Sequence, residues 1–273
     1  METLDPRLHA HRPDLADITL QGRVEAVRFV PGSPGKIITP IANVHAVPDR
    51  ASPCTTQTLL GESITIFETR GGWHWVQLAK DNYVGYIAAS DADIAENKTT
   101  HTITVPLAHV YTQPDIKSQP LEILPMGARI QAVRAADPDW LSLMRGGYIK
   151  AMSTTSLPQM DYVTLAAKFI TAPYLWGGRT ALGIDCSGLV QLALHTTGHE
   201  CPRDSDQQAE ALGKSLSANA QPQRGDFVFF KGHVGILWDE TNLLHANATT
   251  MNVAIEPLEI VRQRATVTVI KRF

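Results

Sequence analysis

In the stretch Gly183-Ile-Asp-Cys-Ser-Gly-Leu-Val190, Cys186 stands between an aspartate and a serine, at the point where a helical pattern begins. A thiol in the first turn of a helix faces backbone N–H groups without partners, and their partial positive charge favours the thiolate. Asp185 or Ser187 can cap that turn. Downstream, His233 and His245 fall in the apolar, strand-like runs GHVGILW and LLHANA, separated by the turn-like DETN. Pairing centred on Asp239 sets the two rings opposite each other across a hairpin with a three-residue loop. A one-residue slip would turn one ring away, and the sequence leaves that register open. Taken singly, Cys186 reads equally well as a small core residue and the histidines as satisfied strand residues. Together they form a nucleophile, a base and a third polar group that orients the base. The rival use is zinc, through Cys186, Cys201, His199 or the histidine pair. No Cys-x-x-Cys spacing is present, so neither a metal nor another cofactor is expected.

The elements that must position these residues can be read from periodicity. In DYVTLAAKFI, residues Val163, Leu165, Ala166, Phe169 and Ile170 form a helical stripe that Pro173 ends. In SGLVQLALHTTG, Leu189, Leu192 and Ala193 share one face, with Gly198 as the C-terminal cap. Trp176 is expected in the core. Beyond residue 222 the runs GDFVFF, HVGILWD, NLLHANA, VAIEPL and TVTVIKRF are strands. A cysteine-bearing helix followed by an antiparallel sheet is an α+β arrangement.

Ahead of this region the chain repeats itself. Short β-rich runs between residues 36 and 95 (NVHAVPD, GESITIFET, GGWHWVQLA, YVGYIAA) recur between 100 and 152 (AHVYTQPD, GARIQAVRA, PDWLSLM, GGYIKAM). Val44 and Val110 keep the spacing of Gly61 and Gly127, whereas Gly85 and Gly147 are slightly closer, as a shortened loop would produce. Such blocks read as two small antiparallel barrels, and their Trp…Gly-Tyr-Ile endings resemble bacterial SH3-like domains. The Ser-, Thr- and Pro-bearing stretch STTSLPQM (153–160) marks the boundary to the region 160–273, and residues 1–35 remain an unassigned arm.

Composition excludes several classes. A formal net charge of −3 gives no electrostatic case for nucleic acid or an anionic membrane, and no stretch approaches a membrane span. Three cysteines do not make a disulfide framework. The first twenty residues lack the apolar run of a secretory signal, so the expected location is the cytoplasm.

The motifs YLWGGRTALGIDCSGLV, RDSDQQ, RGDFVFFKGHVGIL and LLHANA, in that order, resemble the catalytic core of NlpC-type, papain-like cell-wall cysteine peptidases. The resemblance implies Cys186 as nucleophile, His233 as general base and acid, and His245 as the residue orienting His233. The Cys186 N–H and the Tyr174 hydroxyl become candidate oxyanion donors. With two SH3-like domains ahead of it, the chain is further similar to the γ-D-glutamyl-L-diamino acid endopeptidases of murein peptide recycling. These require a free N-terminal L-Ala and cut before diaminopimelate or L-Lys. That likeness assigns Asp185 and Ser187 to the D-Glu portion of a murein peptide, and Glu62, Tyr83, Asp204 and Ser205 to its amino-terminal end. Two other readings stay open, a secreted or phage-type hydrolase of intact wall and a non-enzymatic wall-binding protein.

Overall fold

A computed structural model describes residues 4–94, 98–154, 161–217 and 220–273. The chain divides between residues 155 and 156 into two compact units.

In the first unit a seven-stranded antiparallel sheet runs in the order Cys54–Leu59, Ile41–His45, Val84–Ala88, Trp73–Leu78, Ser63–Arg70, Ser33–Ile37, Ala92–Asp93. Alternate apolar positions, among them Val44, Ile64, Val76 and Ile87, fill its core. A five-stranded sheet follows, ordered Pro120–Pro125, Leu107–Tyr111, Tyr148–Lys150, Trp140–Leu143, Ala132–Arg134. Its neighbour relations repeat those of the first five strands of the larger sheet. The repeat has a packing cause. A Cβ on Gly85 would lie 2.4 Å from Val44 Cγ1, and one on Gly147 would lie 2.6 Å from Val110 Cγ1. Each glycine therefore lets its strand close over the same buried valine.

The N-terminal arm is not loose. Ala10 and Leu15 pack with Phe67 and Trp75, and Leu15–Asp17 pairs in parallel with Arg28–Val30. Arg12 bridges to Glu68 at 2.7 Å, donates to the Tyr86 hydroxyl at 2.7 Å and stacks over Trp75.

The second unit has a six-stranded antiparallel sheet ordered Lys214–Ser215, Val267–Arg272, Phe227–Phe230, His233–Leu237, Asn242–Asn247, Asn252–Pro257. Four helices accompany it, α1 (Tyr162–Ala167), α2 (Cys186–Thr196), α3 (Ser205–Ala211) and α4 (Leu258–Arg264). Helix α2 lies against the His233 and Asn242 strands and buries nearly every residue, which explains its weak amphipathic signal. Gly198, at φ 88°, ends it in the left-handed conformation. Helix α1 stops earlier than its apolar stripe suggested. Thr171 takes a positive φ of 73°, and Ile170 is left exposed while Phe169 is buried. Among the described residues, no helix is long and apolar enough to cross a membrane.

Candidate active site

Cys186 is the first residue of α2. Asp185 caps the helix, its Oδ1 accepting from the Gly188 N–H at 2.7 Å, while Oδ2 accepts from the Gly177 N–H at 2.8 Å. A Cβ at Gly188 would come within 2.4 Å of the Gly178 carbonyl oxygen. The Trp-Gly-Gly turn and the Cys-Ser-Gly start can therefore meet only as glycines. Behind the cap, Arg203 donates to both carboxylate oxygens of Asp185, at 3.0 and 2.7 Å, and to the Ser187 hydroxyl at 2.8 Å. Arg203 is only 1% exposed. It precedes the Asp-Ser pair in RDSDQQ, but sequence alone gave no sign that it reaches back to the nucleophile's cap.

The thiol is buried, at 7% exposure, and its pKa is pushed up to about 12, first by burial and then by the Asp185 charge. Backbone N–H groups of Val234 and Ser187 and the Arg203 charge act in the other direction without prevailing. The helix start favours the thiolate, but desolvating the anion acts against it more strongly. The Val234 amide places the thiol beside the histidine strand, since Val234 follows His233.

Two strands carry the histidines. Ile236 pairs with Leu244 and Leu237 with Leu243, so the hairpin is centred on Glu240, not Asp239, and its loop is Trp238–Thr241. The offset from direct pairing is two residues, which keeps both rings on one face. Extended, this register sets Gly235 opposite His245, and Gly235 has no side chain where the His245 Cβ would be 3.0 Å away. His233 Nε2 lies 2.8 Å from His245 Nδ1. His245 Nε2 in turn lies 2.9 Å from Glu256 Oε2, and Arg264 donates to Glu256 Oε1 at 2.7 Å. Burial, followed by the charges of His245 and Arg264, pulls the His233 pKa down to about 4. Burial also lowers that of His245. Both shifts favour the neutral forms, thiol and imidazole, in the resting pair.

Tyr174 is half-buried, and burial together with the nearby Cys186 and Asp185 raises its pKa to about 12, so the hydroxyl keeps its proton as a donor must. Trp176, expected in the core, is 65% exposed, because it sits on the Gly-Gly turn that wraps the Asp185 carboxylate. Asp204 caps α3 through a capping box with Gln207, and both it and Ser205 are half-buried. Cys201, named above as a possible zinc ligand, is buried with its Sγ donating to the Pro202 carbonyl. Among the described residues, no group of three or more His, Cys, Asp or Glu side chains is gathered for a metal.

In the first unit, Glu62 and Tyr83 are each 5% exposed. Glu62 Oε2 accepts from the Thr58 hydroxyl at 2.7 Å and the Leu59 N–H at 2.9 Å, closing its own turn. Tyr83 belongs to the sheet's core. Their neighbours Glu68 and Tyr86 instead line an open cavity of about 470 Å³, with Arg12, Trp73 and Trp75.

A helix-borne thiol beside a hydrogen-bonded histidine pair on an antiparallel sheet defines a cysteine peptidase of papain-like fold. Residues 171–271 match the NlpC/P60 family, and residues 44–91 match the bacterial dipeptidyl-peptidase Sh3 domain. The chain is a cysteine peptidase with an NlpC/P60 domain preceded by that SH3 domain. It is 27% identical over 248 residues to a dipeptidyl-peptidase 6 of Lysinibacillus sphaericus, covering 82% of this chain and 91% of that one. It is 26% identical over 241 residues to a gamma-D-glutamyl-L-lysine dipeptidyl-peptidase of Bacillus cereus, covering 76% and 72%. A crystal structure of an NlpC/P60 family protein from Bacillus cereus shares the fold, with a TM-score of 0.76 at 21% identity over 88% of this chain and 99% of that one.

The neutral resting pair has a testable consequence. Inactivation by iodoacetamide should accelerate from pH 6 to 9 by roughly tenfold per pH unit, following the thiolate fraction. A rate that is flat between pH 5 and 8 would instead reveal a preformed thiolate–imidazolium pair. Chelators should leave activity unchanged, and loss on chelation with recovery on adding zinc would restore the metal reading.

Proposed function

We propose that this protein hydrolyses the bond between γ-D-Glu and a diamino acid, L-Lys or meso-diaminopimelate, in murein peptides that begin with a free L-Ala. The observation that carries this reading is the Cys186–His233–His245 centre in a chain alignable over most of its length with dipeptidyl-peptidases. In it, His233 removes the thiol proton, the thiolate adds to the γ-carbonyl, and the imidazolium returns the proton to the leaving amine. The Cys186 N–H and the Tyr174 hydroxyl serve the oxyanion. Asp185 and Ser187 contribute to the D-Glu pocket, and Ser205 stands beside Asp204 at the amino-terminal end. The five-stranded sheet (residues 100–152) is taken as a second SH3-like copy, which its repeated strand neighbours support.

A free α-amine has a reference pKa of about 8, so it binds as a cation and needs acceptors where water is stripped away. Asp204 is the half-buried acidic candidate in the catalytic unit. Glu62 and Tyr83 are spent on their own turn and core, which speaks against their part in holding the amine. The free tripeptide should be cleaved at least about tenfold faster, in kcat/KM, than its N-acetyl form, and Asp204→Ala should remove at least about tenfold, or 1.4 kcal/mol. Recycling of released peptides implies a cytoplasmic enzyme, which fractionation checks. Equal cleavage of intact sacculi and free tripeptide would move the protein to the wall-hydrolase class.

A further inference from the structure

We propose that Glu256, held by Arg264, is a positioning residue of the catalytic centre: its carboxylate fixes the tautomer of His245, and through it that of His233, so that His233 Nδ1 is the atom that takes the thiol proton. This rests on the thiol chemistry and not on the identity of the peptide.

The inference follows from which atoms can donate. Glu256 lies opposite Leu243 on the neighbouring strand, and Ala254 lies opposite His245, so Glu256 is the diagonal neighbour of His245 on the same face. Although burial acts to raise its pKa, the bonds from Arg264 and His245 prevail and hold the carboxylate below its usual range. An ionised carboxylate only accepts. At 2.9 Å from Glu256 Oε2, His245 Nε2 must therefore carry the hydrogen. A neutral His245 then has a bare Nδ1, which can only accept from His233 Nε2 at 2.8 Å. With its Nε2 proton committed, a neutral His233 keeps a lone pair on Nδ1 alone.

One group competes. The Asn247 side-chain nitrogen sits 3.4 Å from His245 Nε2 and would suit the opposite tautomer. Its contact is longer, and the opposite tautomer would set two lone pairs face to face at the Glu256 contact. The carboxylate decides.

When the Cys186 S–H bond breaks and the His233 Nδ1–H bond forms, the imidazolium charge spreads toward His245, and Glu256 supplies the counter-charge two bonds further along. The charged groups acting on the ring pair are Glu256 on its strand and Arg264 on α4, and the Cys186 thiol at the start of α2 is bonded by the backbone of Val234, the residue after His233. Arg264 opposes protonation of both rings and Glu256 favours it, so losing the Glu256 charge lowers the pH at which His233 protonates.

A merely structural role, tying α4 to the sheet, would predict something else. In the full-length protein, Glu256→Ala should lower kcat by about 10- to 100-fold with KM nearly unchanged, a size typical of partners that orient a histidine. Glu256→Gln keeps an oxygen acceptor for His245 Nε2–H. It should recover most of kcat while shifting the acidic limb of the kcat–pH profile to lower pH. Nitrogen-15 spectra of the parent's histidine rings give a substrate-free readout and should show protonated Nε2 and bare Nδ1 on both His233 and His245. A parent spectrum with His245 protonated at Nδ1 would overturn the proposal. So would a Glu256→Ala protein with parental kcat, or a Glu256→Gln protein as impaired as Glu256→Ala.

Discussion

A Cys186→Ala protein is expected to lose peptidase turnover by at least about 10⁴-fold while melting close to the parent. The size of the loss follows from removing the atom that forms the acyl-enzyme, an effect that elsewhere in nucleophilic hydrolases equals removal of the whole catalytic group. Folding should tolerate the change, because a thiol-to-methyl exchange leaves only a small void and the helix is capped by Asp185, not by the cysteine. Cys186→Ser should be similarly inactive, since a neutral imidazole with a pKa near 4 is a weak base for an alcohol. Cys54→Ala and Cys201→Ala separate this from a general thiol effect. Cys54 is half-buried in the first unit, Cys201 is buried with its Sγ donating to the Pro202 carbonyl, and both variants should keep activity. Cleavage by Cys186→Ala at near the parental rate would refute the thiol mechanism.

The second large effect is on stability. Asp185→Ala removes a carboxylate partner of Arg203, whose side chain is almost wholly buried at 2.7 Å from Asp185 Oδ2, and it uncaps α2. Breaking a buried pair typically costs about 3–5 kcal/mol, because an unpaired charge is left behind, and losing an N-cap adds about 1 kcal/mol. Against a total of about 5–15 kcal/mol for a domain, this is a large share. The melting temperature should fall by more than about 10 °C, given about 4 °C per kcal/mol for a domain of somewhat over 100 residues. Asp185→Ala with Arg203→Met removes both charges and should recover at least half of that loss without recovering activity, since Arg203 also holds Ser187. Calorimetry of the three proteins decides it. An Asp185→Ala protein melting within 2 °C of the parent, by about the scale above, would show that the pair does not brace the nucleophile.

The residues around Cys186 were readable because their rules are local. Aspartate, cysteine, serine and glycine in succession specify a capped helix start, and the glycine at 198 specifies its end. The repeated valine and glycine positions exposed the doubled β-pattern because each strand must close over the same buried side chain. The histidine spacing gave a hairpin with both rings on one face for a similar reason, since strand periodicity fixes faces even when the register moves by two. Everything that depends on one segment meeting a distant one required the tertiary structure. The hairpin centre was set by Gly235 and its neighbours, Arg203 reaches Asp185 across a loop, and Glu256 meets His245 only because a third strand pairs beside it. Burial was decided in the same way. Trp176 looked like core by composition but sits on a turn, and Glu62 and Tyr83 looked available by motif but are enclosed by their own sheet. The direction of the Cys186 pKa was decided in the same way, because a helix-end field is a property of the first turn, whereas desolvation is imposed by all that packs around it.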